Sequence, residues 1–244
     1  MVCCKNQKTT DQAAKAKSRD GGNVLFLILI AVALFAALSY AVTQSSRSGG
    51  NADREKLKTA ASEIIQYGTA MEQAITRMRV INKTTPDQLS FENEAWKSGN
   101  GTVLYAAGYN VNSRGTIDQL FHPDGGGLTP LTFDRKPFMA PRQGALTLPA
   151  IGHMQPQFVY FEQIGTETAT EIALRLMWLD ENLCMAINDI LKIENPNGKP
   201  PHANGTDGIM TNETPALRGR YNFCAEWHQD DDYHHFYWHV LWAR

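Results

Sequence analysis

The chain lacks the short motifs that announce catalysis: it holds no G-x-S-x-G elbow, no H-E-x-x-H helix and no C-x-x-C pair. Gly125-Gly126-Gly127 is followed by no Lys-Ser or Lys-Thr, so it reads as a loop after the turn His122-Pro123-Asp124 and not as a phosphate cradle. No catalytic residue, cofactor or metal is expected, and the chain is read as a non-enzyme. A basic stripe is missing too. With Lys5, Lys8, Lys15, Lys17, Arg19, Asp11 and Asp20 of the first 22 residues set aside, acidic residues outnumber basic ones, which excludes nucleic acid as an expected partner. Cysteine is scarce, with four in 244 residues.

What is present begins with one long apolar run, residues 24–42 (VLFLILIAVALFAALSYAV), which contains no charge. At about 1.5 Å per helical residue it covers about 28 Å, close to the hydrocarbon thickness of a bilayer. A secretory signal peptide would usually be shorter in its apolar part and would end at small residues suited to cleavage. Residues 43–47 (TQSSR) offer no convincing site of that kind, although 37–39 and 39–41 carry small residues. Retention as a membrane helix is therefore the expectation. The basic residues before the run place the first 22 residues inside and the bulk of the chain across the membrane. Arg47, Arg54, Lys56 and Lys58 belong to a domain too long for loop charge to govern its translocation.

About 200 residues follow the run, enough for one ordinary domain with its own core. Cys3 and Cys4 fall in the inner leader, where thiols stay reduced. Cys184 and Cys224 fall in the translocated part, where they are free to bridge; the alternative is two separate buried thiols. Closing that loop would stabilise by roughly 4 kcal/mol on the chain-entropy account.

Residues 43–51 (TQSSRSGGN) are small and polar, so the helix is expected to loosen there. A second helix then begins, with Asn51 as its cap and Asp53 and Glu55 in the first turn. Leu57, Ala61, Ile64, Ile65, Gly68, Met71, Ile75 and Met78 recur at steps of three and four, the mark of an amphipathic helix. From residue 82 the pattern turns to short extended pieces. Strands are predicted at 103–109, 158–163 and 171–179, and loops at 122–129, 135–144 and 195–211. Residues 169–179 also fit a helical period. Residues 181–193 read as a short helix with Leu183, Cys184, Ile187 and Ile190 on one face, and 233–243 as a strand within a mostly antiparallel sheet.

A short basic leader ending in Gly, an apolar helix continuing into an amphipathic one, a β-rich head and two cysteines near the C-terminus together resemble a type IV pilin-like protein. The resemblance covers the architecture of the whole chain. It implies cleavage on the cytoplasmic face after Gly22, leaving Asn23 as the new N-terminus. It also implies apolar helices packed in a filament core, outward heads, and a Cys184–Cys224 disulfide bounding a C-terminal loop. Pilins usually carry Glu at the fifth position of the mature helix, and counting from Asn23 that position is Leu27. Asn23 also replaces the usual Phe or Met. Tip-type minor pseudopilins of secretion systems share the missing Glu, so a minor subunit is implied rather than a major one.

Residues 228–235 (HQDDDYHH) with His239 make the most metal-like cluster. On a strand His234 and His235 point to opposite faces, and His235 and His239 stand about 13 Å apart, too far to share an ion. The segment is read as an acidic turn entering an aromatic strand; it also lacks the alternating carboxylates and central Gly of a helix-loop-helix calcium site. Sequons at Asn82, Asn100, Asn204 and Asn212 would all lie on the outer side, but polar loops generate such triplets readily.

The resulting expectation is an α+β chain: a leader (1–22), a transmembrane helix (23–43), a hinge and amphipathic helix (44–80) and a mostly antiparallel β-rich head (81–244). Its expected partners are the membrane, other pilin-like subunits with their assembly machinery, and a surface ligand. The expected location is the cytoplasmic (inner) membrane, single-pass, with the head periplasmic or extracellular and associated with a filament. The competing reading is a permanently anchored single-pass protein with an outer ligand-binding or scaffold domain.

Overall fold

A computed structural model describes residues 21–46, 49–97, 102–133, 154–161, 163–166, 169–206, 209–211, 215–229 and 232–244. The chain divides into two compact units, Met1–Asn51 and Ala52–Arg244. The first contains helix α1 (Gly21–Ser46). Helix α2 (Gly49–Ile81) starts in the first unit and runs through the second. Helix α2 starts before Asn51, which sits in the first turn and not at a cap position.

The second unit is α+β with mainly antiparallel pairing. A small pair, β1 (Asn93–Lys97) and β2 (Val103–Tyr105), stands apart from a six-stranded sheet. That sheet comprises β3 (Met154–Phe161), β4 (Glu171–Met177), β5 (Asn204–Thr206), β6 (Ile209–Thr211), β7 (Asn222–Gln229) and β8 (Asp232–Trp242) in the order β5-β6-β3-β4-β8-β7. Among the described strands only β3 and β6 run parallel. Helix α3 (Glu181–Leu191) follows β4. Its start is set by Asp180, whose carboxylate accepts from the Asn182 and Leu183 amides, and its end by Lys192 at φ 58°.

The period along α2 buries one stripe: Ala60, Ala61, Ile64, Tyr67, Met71, Ala74, Ile75 and Met78. These join Ile172, Leu174 and Leu176 of β4, Tyr237 and Leu241 of β8, and Leu183 and Ile187 of α3 in one core. Ile65 is only partly buried, because it lies at the edge of the stripe. Alternate residues of the same strands, Ala173, Phe236, Trp238 and Val240, build a second core with Phe161, Phe223, Ile193, Ala203 and Leu217. Strand β8 is therefore buried on both faces, one covered by α2 and the other by segments from 193–217. Two-sided burial also explains why 171–177 is a strand, since Ile172, Leu174 and Leu176 serve one core while Ala173 and Met177 serve the other.

The outer edge of β7 is covered. Asn188 of α3 exchanges two hydrogen bonds with the Cys224 backbone, at 2.9 and 3.0 Å, as a neighbouring strand would. Beyond it, the Ala203 amide donates to the Glu226 carbonyl and the Glu226 amide to the Pro201 carbonyl. The chain entering β5 thereby lies along the free side of β7, and the sheet curls around its second core.

Candidate functional site

In α1 the described side chains, Val24 to Tyr40, are all exposed, from Ile30 at 40% to Phe35 at 73%. A helix apolar all round has no face suited to water. Among the described residues no helix is long and apolar enough to cross a membrane. Gly22 and Asn23, the predicted processing pair, lie in the first turn of α1. Leu27 is 58% exposed.

The second unit contains a polar chain where α2 meets the sheet, running from buried Tyr237 and His239 to the half-exposed Glu72. Tyr237 and His239 share one face of β8, and the Tyr237 hydroxyl lies 2.7 Å from His239 Nδ1. His239 Nε2 lies 3.1 Å from Glu72 Oε2 on α2. With the ring protonated at Nε2, the hydroxyl donates to Nδ1 and the ring donates to the carboxylate, so both ring nitrogens are used. Burial, with the Glu72 charge adding to it, pushes the Tyr237 phenol far up, which keeps it a neutral donor. Gly68, one turn before Glu72, makes room for the imidazole: a Cβ there would stand 2.6 Å from Nδ1. The arrangement ties α2 to β8.

Cys184 on α3 and Cys224 on β7 stand at disulfide distance, with Cα atoms 5.3 Å apart. The intervening segment includes the hairpin β5–β6, which lies inside the predicted loop 195–211. The predicted loop 135–144 lies outside the described residues, as do Cys3, Cys4, Asn100 and Asn212. Asn82, another sequon residue, spends its amide on the Ile117 and Asp124 carbonyls.

Within the HQDDDYHH segment His228 of β7 pairs with Tyr233 of β8, and the preceding Trp227 pairs with His234. His234 packs edge-on against Trp178, ring centroids 3.9 Å apart, while His235 is buried near Asp180, Glu181 and Glu226. Burial pushes the His235 imidazole down, and those three carboxylates only partly offset it. Among the described residues no three His, Cys, Asp or Glu side chains converge as a metal site. The glycine triplet closes a turn: a Cβ on Gly125 or Gly126 would stand 2.1 Å from the Gln119 carbonyl or 2.2 Å from that of Leu120.

Sequence reasoning missed the Glu72–His239–Tyr237 chain and the Asn188 edge cover. Gly68 and Glu72 four residues apart on an amphipathic helix, opposite a Tyr-x-His strand, were the available signal for the first. For the second there was none, since Asn188 reads as a surface residue. No protein-family model, curated protein or solved structure matches the chain.

Proposed function

We propose that the chain is a pilin-like structural subunit, minor in type, of a type IV pilus or a type II secretion-like filament. In this reading residues 24–42 anchor it in the cytoplasmic (inner) membrane, with the leader inside and the head periplasmic or extracellular for assembly or adhesion. The observation that carries the reading is the division of labour between the helices. The apolar side chains of α1 from Val24 to Tyr40 are exposed, and those of α2 are buried along one stripe against an antiparallel sheet. The first arrangement suits exchange between lipid and neighbouring helices, because both environments satisfy an all-apolar surface. The second suits a rigid head. Cys184 and Cys224 at disulfide distance fit an oxidising compartment outside the cytoplasm.

The test is the intact mass and N-terminal sequence of the chain recovered from membranes in cells with an active prepilin peptidase. The expected species begins at Asn23 and lacks the mass of residues 1–22. Recovery with Met1 in place would remove the main support for a pilin.

Leu27 favours a second reading specifically. Without a carboxylate in the run, the helix has nothing to pair with a neighbour's amino terminus, which makes it an ordinary anchor for an outer ligand-binding or scaffold domain. That protein would keep its leader and stay out of filaments.

A further inference from the structure

A cleft of about 370 Å³ opens on the second unit between the turn after β2 and the start of β4. The size lies within the range of small-molecule sites. Its floor is apolar and buried: Leu89 and Phe91 at 4% exposure and Ile172 at 1%, with Pro156 beside them. Its rim is polar and carries Asp87, Asn112 and Arg244. Tyr109 stands among them with half of its surface exposed.

The Tyr109 ring is held in place by local structure. Gly108, at φ 77°, closes a turn in which the Tyr109 amide donates to the Ala106 carbonyl. The ring then meets Tyr105 edge-on at 4.7 Å, and Tyr105 meets the fully buried Trp96 at 5.7 Å. An aromatic face anchored to the core through two further rings has lost little freedom left to lose on binding. Asn110 fixes the wall by donating to the Asp87 and Leu89 carbonyls, at 2.9 and 2.8 Å. Arg244 is aimed by Thr170, whose carbonyl and hydroxyl both accept from the guanidinium.

We infer that this cleft binds a neutral saccharide, with a C–H face of the sugar on the Tyr109 ring and its hydroxyls on Asp87, Asn112 and Arg244. The charges on the rim select the class. One carboxylate and one guanidinium cancel, so neither anions nor cations are drawn in strongly. A carboxylate, an amide and a guanidinium together offer acceptors and donors side by side, which matches vicinal hydroxyls that donate and accept at once. The exposed aromatic face and apolar floor match the other half of a sugar's surface. The inference deepens the proposed function by giving the head a ligand class. It rests on that reading for access from outside the cell, while binding itself does not depend on leader cleavage.

The test uses the purified full chain in a detergent without a sugar head group. Saturation-transfer NMR is recorded with glucose, galactose, N-acetylglucosamine and lactose, and with leucine and phenylalanine as zwitterionic comparators. At least one saccharide should show saturation of its ring C–H protons. Tyr109→Ala should weaken that binding about tenfold, Asp87→Asn should weaken it several-fold, and Tyr109→Phe should retain it. Asp87→Asn and Tyr109→Phe should leave the unfolding midpoint unchanged, while Tyr109→Ala, which loses the ring contact with Tyr105, should lower it slightly and still leave the chain folded at the temperature of the measurement. Failure of every saccharide to bind, binding indifferent to Tyr109→Ala, or preferential binding of the amino acids would each overturn the inference. A cleaved chain that binds no saccharide would leave the filament reading standing, and an uncleaved chain that binds would do the reverse.

Discussion

In α1 the described side chains from Val24 to Tyr40 are all exposed, whereas in α2 Ala61, Ile64 and Met71 are completely buried. The backbones are alike, and the difference lies in how apolar residues are spaced. Apolar residues at nearly every position from Val24 to Val42 leave that part of α1 no polar face to turn toward water, while residues at steps of three and four give α2 one stripe for the sheet and another for solvent. The first kind of helix depends on its surroundings, and the second is stabilised by its own chain.

The largest expected effect breaks the first half of that contrast. Leu29→Arg combined with Leu34→Arg places two charges mid-run, each opposed by about 2.5–3.5 kcal/mol at a helix centre. The chain should move from the carbonate-washed membrane fraction to the soluble one. Gln66→Arg, on the exposed side of α2, should leave both location and folding unchanged. Retention of the double variant in membranes would show that α1 is not what holds the protein there.

Ile64→Ala tests the other half. Truncating a fully buried side chain typically destabilises by about 2–5 kcal/mol, and it should lower the urea midpoint of the second unit, read by tryptophan fluorescence. All the tryptophans lie at position 96 or later, so the signal reports that unit alone. Leu34→Ala in α1 should not move it. Equal shifts for the two would mean that α1 shares the core of the head.

A smaller effect carries more information because its sign depends on the partner. Glycine inside a helix is less favourable than alanine by about 1 kcal/mol, so Gly68→Ala on an isolated helix would stabilise. Here the new methyl meets the His239 ring, and the expected outcome is a loss of about 1–3 kcal/mol. In a His239→Ala background the same change should become neutral or favourable. A double-mutant cycle of urea midpoints measures the difference. Stabilisation by Gly68→Ala alone would show that α2 does not press on β8 at this point.

These contrasts also mark what could be read from the residues. The stripe on α2, the helix after Asp180 and the C-terminal strand follow from period and capping, which are local. Strand β8 appeared at 232–242 against an expected 233–243, and α3 ended at Leu191, two residues early, where Lys192 takes a left-handed conformation. Strands β1, β5, β6 and β7 were not anticipated. Residues 204–211 read as loop because Asn, Gly and Thr dominate them, and only pairing with β3 makes them strands. β3 begins at Met154, before the expected 158, because Pro156 lies inside it opposite Leu174, at a place where composition argues for a break. Of the site, Tyr109 was read as the end of a strand, whereas the chain turns after Tyr105 and presents the ring to the cleft.

Titration separates the two regions once more, since the apolar run has no carboxylate and no histidine while the head buries both. Glu171 is completely buried; its Oε2 accepts from the Phe161 amide at 3.0 Å, and its Oε1 has no partner among the described residues. Burial pushes this carboxyl up, more than the Phe161 amide and the Arg244 charge pull it down. The folded head therefore holds the Glu171 proton more tightly than the unfolded chain, and its contribution to stability falls as pH rises from the usual carboxylate range through the raised value. His235 works on the other side: its imidazole is pushed down, so its contribution is lost as pH falls through the usual imidazole range. Glu171→Gln keeps an acceptor for Phe161 and removes the titration. Its urea midpoint should gain on the unsubstituted protein as pH is raised toward neutrality and lose that advantage in acid. A difference that stays constant across that range would mean that folding does not change how tightly Glu171 holds its proton.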